Sequence, residues 1–449
     1  MNESPRPPAG DPGQGLARNL DQDLARDLGQ DPIRDPGKDR ARKLTRSAAR
    51  NPGQDSARDR ARGSSGRRLL ALLTPAPTPG ASAWKTGLAT VAGVVVALAL
   101  SSLLIAVTGG SPLASVLALF QGSMADRTAW TSTLLYAAPL LLVAVGACVS
   151  ARSGVFNIGQ EGQVLVGALL AAWVGLRLAV TGPALLVAVL AAAALAGGAW
   201  AGLSSLMHRL RGVDVVVSTL LMTFVAQQLV AFAVNTPWLL RESRVGDAVV
   251  APQSNPLPES ALLGSTGEYP DLQVNGGLLI ALAAAVVVAT VIARTRWGFR
   301  LTMLGLNPLA ARHAGIRADA LGGVALAVSG ALAGLAGAVL LTSPVGVHRL
   351  QPGMAMGIGW DGLLVALVAR NRPLPAIPVA LLFGVLRSGG GFLAATGVPP
   401  FVVDVVKALL VLAFVAPPAV LAVIRRRGAG VRAGRAGHRS VPVAEGAAR

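Results

Sequence analysis

Along most of this chain apolar residues do not alternate with polar ones; they run together in long stretches broken by short polar or Gly-rich segments. A helix needs about 20 such residues to cross the hydrocarbon core of a bilayer. The runs predict helices near 86–107, 132–150, 163–180, 183–206, 214–234, 276–293, 319–342, 356–369, 373–388 and 402–424, ten in all. The eighth and ninth are parted only by the turn Ala369 to Pro373, so they read either as two short spans or as one broken, re-entrant pair. The expected fold is an all-α polytopic membrane protein of about ten transmembrane helices.

Composition supports this picture. Hydrophobic residues make up 53% of the 449 and charged residues only 14%, against about 25% charged in ordinary soluble domains. Most of the net charge of +18 lies in the flanks, since residues 1–68 hold fifteen of the 40 Lys and Arg against ten acids and the segment from Arg425 holds seven more against one. The body has no continuous basic face with interleaved aromatics, which excludes nucleic acid as the expected partner. Residues 1–68 repeat Asp, Arg, Gly, Gln and Pro, a composition with nothing to offset the ordering entropy. They are expected to form a disordered cytoplasmic tail, retained because the first apolar run begins only near Thr86 and no signal peptide precedes it. A transmembrane domain is expected over 84–427 and a second disordered basic tail over 428–449.

Arg and Lys also orient the helices. With both termini inside, Arg152, Arg209, Arg211, the cluster Arg294 to Arg317, Arg370, Arg372 and the Arg425 run face the cytoplasm, and the loop 235–275 faces out. Two interruptions then stand out: Ile158-Gly159-Gln160-Glu161-Gly162 and Ile358-Gly359-Trp360-Asp361-Gly362. Each sets an acid between glycines at the start of a short helix. Their places in the span order put the first break on the cytoplasmic side and the second on the outer side, as in an inverted repeat; coincidence in a Gly-rich chain is the other reading. Either way, Glu161 and Asp361 are costly beside lipid and should face protein or water.

The polar segment after the sixth span reads Gly305-Leu-Asn-Pro-Leu-Ala-Ala-Arg-His-Ala-Gly-Ile316. Asn307 suits an N-cap, Pro308 a first helical position and Gly315 a helix end. The short helix so defined either lies on anionic lipid or docks a soluble partner, with Ala310, Ala311 and Ala314 as a small-residue face beside Arg312.

Here the sequence resembles a known family. The segments Arg152 to Gln163, Gly212 to Ala226, Gly305 to Ile316, Ser329 to Ala338 and Gly359 to Pro373, in this order, look like the permease subunits of bacterial ABC importers for nucleosides and simple sugars. The resemblance runs from about Trp84 to Arg427. It implies a cytoplasmic ATPase pair docked on 305–316, an extracytoplasmic substrate-binding lipoprotein, and a pathway between two permease subunits. It also implies a second, different permease and a nucleoside substrate, because the longer partner in the nucleoside branch carries an outer loop like 235–275. The chain departs from the family pattern at Val213-Asp214, where an Asn-Glu pair is usual, and at Thr223, where Asn is usual.

Asp214, Ser218, Thr219, Met222 and Thr223 fall at helical spacing, either lining a path for a hydroxylated solute or bonding between helices. With Asn157, Gln160, Glu161, Trp360 and Asp361, the polar members of this stripe make up the expected pathway. Asp404 and Lys407 read as a pair near the interface. No GxxxxGK[ST] motif occurs and the four His are scattered, so neither a nucleotide site, a catalytic site, a cofactor nor a metal is expected in this chain. A secondary carrier using Glu161 and Asp361 as coupling carboxylates is the competing transport mechanism.

Overall fold

The computed structural model describes residues 83–107, 110–243, 251–267, 272–344, 346–395, 404–409 and 411–413, all within one compact unit. Both expected tails, the last span beyond 413 and the loop segments 244–250 and 268–271 lie outside the described residues.

The order is α1 (Ala83–Val107), α2 (Pro112–Ser123), α3 (Arg127–Arg152), α4 (Gln160–Arg177), α5 (Pro183–Arg211), α6 (Val215–Asn235), a small hairpin, α7 (Gly276–Arg294), α8 (Arg296–Leu306), α9 (Pro308–His313), α10 (Ala318–Thr342), α11 (Ile358–Val368) and α12 (Ala376–Ala395). Residues 404–409 and 411–413 are also helical. Six of these helices, α3, α5, α6, α7, α10 and most of α12, are long and apolar enough to cross a membrane, and the bent pair α1 and α2 supplies a seventh crossing if it counts as one. The expected ten are therefore not reached among the described residues. Of the three missing, α4 is not among these crossings, the last run lies mostly outside the described residues, and α11 is too short, its eleven residues rising only about 16 Å, half a bilayer core. It is closed by left-handed Arg370 and Asn371, within the turn expected at Ala369 to Pro373, and Asn371 donates back to the Ala366 carbonyl at 2.8 Å. The apolar run at 112–123 forms α2, which the span pattern does not resolve.

Helix α10 is the centre of the bundle, packed on α3, α4 and α5. Its Gly/Ala-rich sequence explains why. A Cβ placed on Gly330 or Gly334 would collide with the backbone of α5 at Gly197 or Ala193, and one on Gly337 with the Val164 carbonyl of α4. In lipid, where apolar side chains gain little from leaving one hydrocarbon for another, such close backbone approach supplies the packing. Helix α3 is buried along nearly its whole second half, from Ala137 to Ser150. The outward faces of α5 and α7 carry exposed Val187, Leu195, Leu279, Val286 and Val287, the surface expected against acyl chains.

The loop after α6 packs on the loop after α10: Leu257 N–H donates to the His348 carbonyl, Ser254 N–H to the Leu350 carbonyl and Leu263 N–H to the Thr342 carbonyl, all within 2.8–2.9 Å. An antiparallel pair, β1 (Ser265–Thr266) with β2 (Val274–Asn275), closes it in the register Ser265 to Asn275. Arg349 also pairs with Glu242 there.

Candidate functional site: two helix starts that meet

The interruptions before α4 and α11, which the span order assigns to opposite sides, touch. The Glu161 carboxylate, in the first turn of α4, accepts from the backbone N–H of Gly357 at 2.8 Å and of Gly359 at 2.7 Å. The two helices start beside each other, so the acid of one reaches the first N–H groups of the other. Gly359 is required, since a Cβ there would collide with Glu161 N and Cα. The first N–H groups of any helix lack intrahelical partners and carry the positive end of its dipole. A carboxylate from the neighbouring helix answers both needs, with charge-assisted hydrogen bonds.

Asp361, one turn into α11, is held differently. Its carboxylate takes Arg387 Nη1 of α12 at 3.0 Å and Lys407 Nζ at 3.2 Å. Arg387 also donates to the Met356 carbonyl at 2.6 Å and lies over the Tyr136 ring, 5.3 Å from its centroid. Lys407 pairs with Asp404 at 2.7 Å, as its spacing predicts, yet it is buried rather than snorkelling to an interface. The cluster gathers two carboxylates and two cations, with Arg387 and Lys407 both sharing Asp361. Trp360, next to Asp361 in the chain, is 36% exposed.

Behind the meeting point is a buried amide network. Asn157 donates to Gln163 Oε1 at 2.8 Å and to Ser329 Oγ at 2.9 Å, and its own Oδ1 accepts from Gln163 Nε2 and Gly159 N–H. Gln160 donates to the Val143 carbonyl at 2.9 Å, while its buried Oε1 has no partner among the described residues. Gln163, Ser329, Arg387 and Lys407 belong to the site but not to the expected residue set. Gln163 and Ser329 lie inside the resembling segments; Arg387 offered only its charge inside an apolar run as a signal.

The stripe on α6 is placed elsewhere. Asp214 caps the helix, accepting from Val216 and Val217 N–H. Ser218, Thr219 and Thr223 are buried, each hydroxyl bonded to a carbonyl of its own helix. They face α4: a Cβ on Gly159 would sit 2.5 Å from the Thr219 carbonyl oxygen, and one on Gly162 2.8 Å from Thr223 Cα.

The 305–316 segment forms as capping chemistry dictates. Asn307 Oδ1 accepts from Leu309 and Ala310 N–H, each at 3.1 Å, and Pro308 opens α9. Left-handed Gly315 donates to the Arg312 carbonyl and Ile316 N–H to the Ala311 carbonyl, the paired bonds of a Schellman end. The three alanines do not form one open face: Ala311 is fully buried, Ala310 half-buried and Ala314 exposed. The accessible apolar groups are instead Leu306, 81% exposed, and Leu309, 62% exposed. Arg312 makes an exposed pair with Asp319. A Cβ on Gly305 would collide with the Arg152 carbonyl and sit 3.1 Å from Gly154 N, so Gly305 packs closely on this turn. The segment is thereby seated on the loop that leads to Gln160 and Glu161.

Among known proteins, the permease component family of branched-chain amino acid transport systems matches residues 129–415. The chain belongs to this permease family. It is similar to the glucose ABC transporter permease protein TsgB13 of Haloferax volcanii, with 32% identity over 71% of this chain and 84% of that protein. The guanosine ABC transporter permease protein NupP of Bacillus subtilis is 30% identical over 71% of this chain and 90% of its own length. The nucleoside ABC transporter permease protein NupB of Lactococcus lactis is 27% identical over 76% of this chain and 94% of its own. No solved structure matches. The protein is a multi-pass membrane permease of an ABC transporter, and its relatives are permease subunits rather than enzymes. That membership sets aside the secondary carrier, and both carboxylates invoked for it are engaged, Glu161 by backbone N–H groups and Asp361 by cations.

Proposed function

We propose that this chain is one of two permease subunits of an ATP-driven importer for nucleosides. The observation that carries the substrate is likeness across most of the chain to permeases for guanosine and for nucleosides. In this reading ATP is hydrolysed by separate cytoplasmic subunits, which dock on the segment of Gly305, Asn307, Pro308, Ala310, Arg312, Ala314 and Gly315, seated through buried Ala311. Leu306 and Leu309 offer the apolar contact, and capping at both ends of α9 makes it a stiff lever. Motion there reaches Gly154 through Gly305, and from Gly154 the loop leads to the α4 start and, through Glu161, to the α11 start. The meeting of Glu161 with α11 and the Asp361 cluster is the element that two states of the transporter would hold or release.

Both termini are cytoplasmic in this reading and the paired loops 236–263 and 343–350 face out, where a substrate-binding lipoprotein would deliver solute. The concentration of Arg between Arg294 and Arg317 supports that orientation. A simple sugar is the second reading, favoured by the likeness to a glucose permease. The test is uptake into cells carrying the complete transporter, using labelled guanosine, uridine, ribose and glucose. Uptake of nucleosides that excess sugar does not suppress is expected; uptake of glucose or ribose alone would overturn the nucleoside reading.

A further inference from the structure

Helix α6 presents most of its length outside the packed bundle, with Val217, Leu221, Phe224, Val225, Leu229 and Phe232 exposed. In the middle of this apolar face stand Gln227 and Gln228, also exposed, at the thirteenth and fourteenth of its 21 residues. At about 1.5 Å per residue they lie some 10 Å from the nearer helix end, too deep for a glutamine to reach the headgroups. Neither amide has a hydrogen-bond partner among the described residues. Against lipid, each would leave two donors and an acceptor unanswered. The exposed faces of α5 and α7 differ: Val187, Leu195, Leu279, Val286 and Val287 ask nothing of their surroundings. The α6 face therefore borders something that both donates and accepts hydrogen bonds.

The neighbours of Gln228 narrow what that is. Phe224 and Phe232 precede and follow it by four residues, so the three side chains form one stripe, and the two rings are 56% and 55% exposed. An amide that can donate and accept side by side matches the edge of a nitrogen heterocycle, and aromatic rings offer stacking to its faces. We infer that the Phe224, Gln228, Phe232 stripe, with Gln227 beside it, lines the aqueous path between the two permeases and binds the heterocyclic base of the transported solute. This rests on the nucleoside reading above. It also moves solute contact from Thr219 and Thr223, which face α4, to Gln228 on the opposite side of the same helix.

The test uses the complete transporter in membranes. Gln228→Leu is expected to raise KM for guanosine uptake by roughly tenfold, the effect of losing one bidentate hydrogen-bond pair, with complex yield unchanged. Phe224→Leu should raise it by a smaller factor. In parallel, Gln228→Cys should react with a charged, membrane-impermeant thiol reagent and be protected by guanosine, while Val286→Cys on α7 stays unlabelled; Cys148 is buried and gives little background. An unchanged KM with no labelling would place the face in lipid and overturn the inference. Loss of the complex in Gln228→Leu would make the face a subunit contact and overturn it equally. If the wild-type transporter takes up glucose and no nucleoside, the substrate reading falls and the base-binding role with it, whereas normal nucleoside uptake by an unlabelled Gln228→Cys variant would remove this inference alone.

Discussion

The starts of α4 and α11 are written in almost the same letters, Ile-Gly-Gln-Glu-Gly and Ile-Gly-Trp-Asp-Gly, and their acids are held in opposite ways. Glu161 reaches across to another helix and is answered by two backbone N–H groups. Asp361 stays beside its own helix and is answered by Arg387 and Lys407. The extra methylene of Glu gives the reach that capping a neighbour requires, and the shorter Asp leaves room for two cations to approach. The lesson is that a buried charge in a membrane protein needs a counterpart, and that a helix end and an ammonium group are alternative solutions.

The largest effect should come from the cation-held acid. Asp361→Ala leaves Arg387 and Lys407 facing each other without their shared anion and should cost about 3–5 kcal/mol, read as a loss of thermal stability and of uptake. The comparison sharpens if Asp361→Asn is combined with Lys407→Met. Removing one of the two stranded cations should recover part of that loss, and a double variant no better than Asp361→Asn would show that Lys407 is held by Asp404 instead.

Glu161 should respond to different changes. Glu161→Gln keeps an acceptor for one N–H but loses the charge at the α11 dipole, a cost of about 1–3 kcal/mol, and no cation removal should rescue it. Stability restored by Arg387→Gln would break the distinction between the two sites. Outside this pair, Ala314→Arg on the exposed side of α9 should lower co-purification of the ATPase severalfold while the permease itself keeps its melting temperature, because Ala314 has little to lose in packing. ATPase retained at full yield, with normal uptake, would mean that α9 is not the docking site.

The smallest effect is a pH dependence at the loops after α6 and α10. Hydrogen bonding from Gln253, and then from Arg349, holds the Glu242 carboxyl below its ordinary value of 4.5. A carboxyl depressed on folding contributes stability above its unfolded pKa and loses it as the pH falls through the folded one. Protection of these loops from proteolysis should accordingly be flat between pH 8 and 6 and decline only below about pH 4.5, and Glu242→Gln should remove the decline. A transition near neutral pH would show that another group controls these loops.

Much of this architecture was legible because membrane constraints are written plainly. Apolar length located α1, α3, α5, α6, α7 and α10 to within a few residues, since a bilayer fixes how much chain a span must contain. Asn307, Pro308 and Gly315 marked α9 because capping is local chemistry that needs no tertiary partner. Glu161 and Asp361 were visible as acids in apolar surroundings. What they touch was not: the contact between residues 161 and 357–359 depends on two loops turning inward from different helices. Nor could helical spacing alone tell which side of α6 faces α4, because Ser218 and Gln228 are both polar residues on one apolar helix. Only packing, through Gly159 and Gly162 against Thr219 and Thr223, decided that one is covered and the other left open.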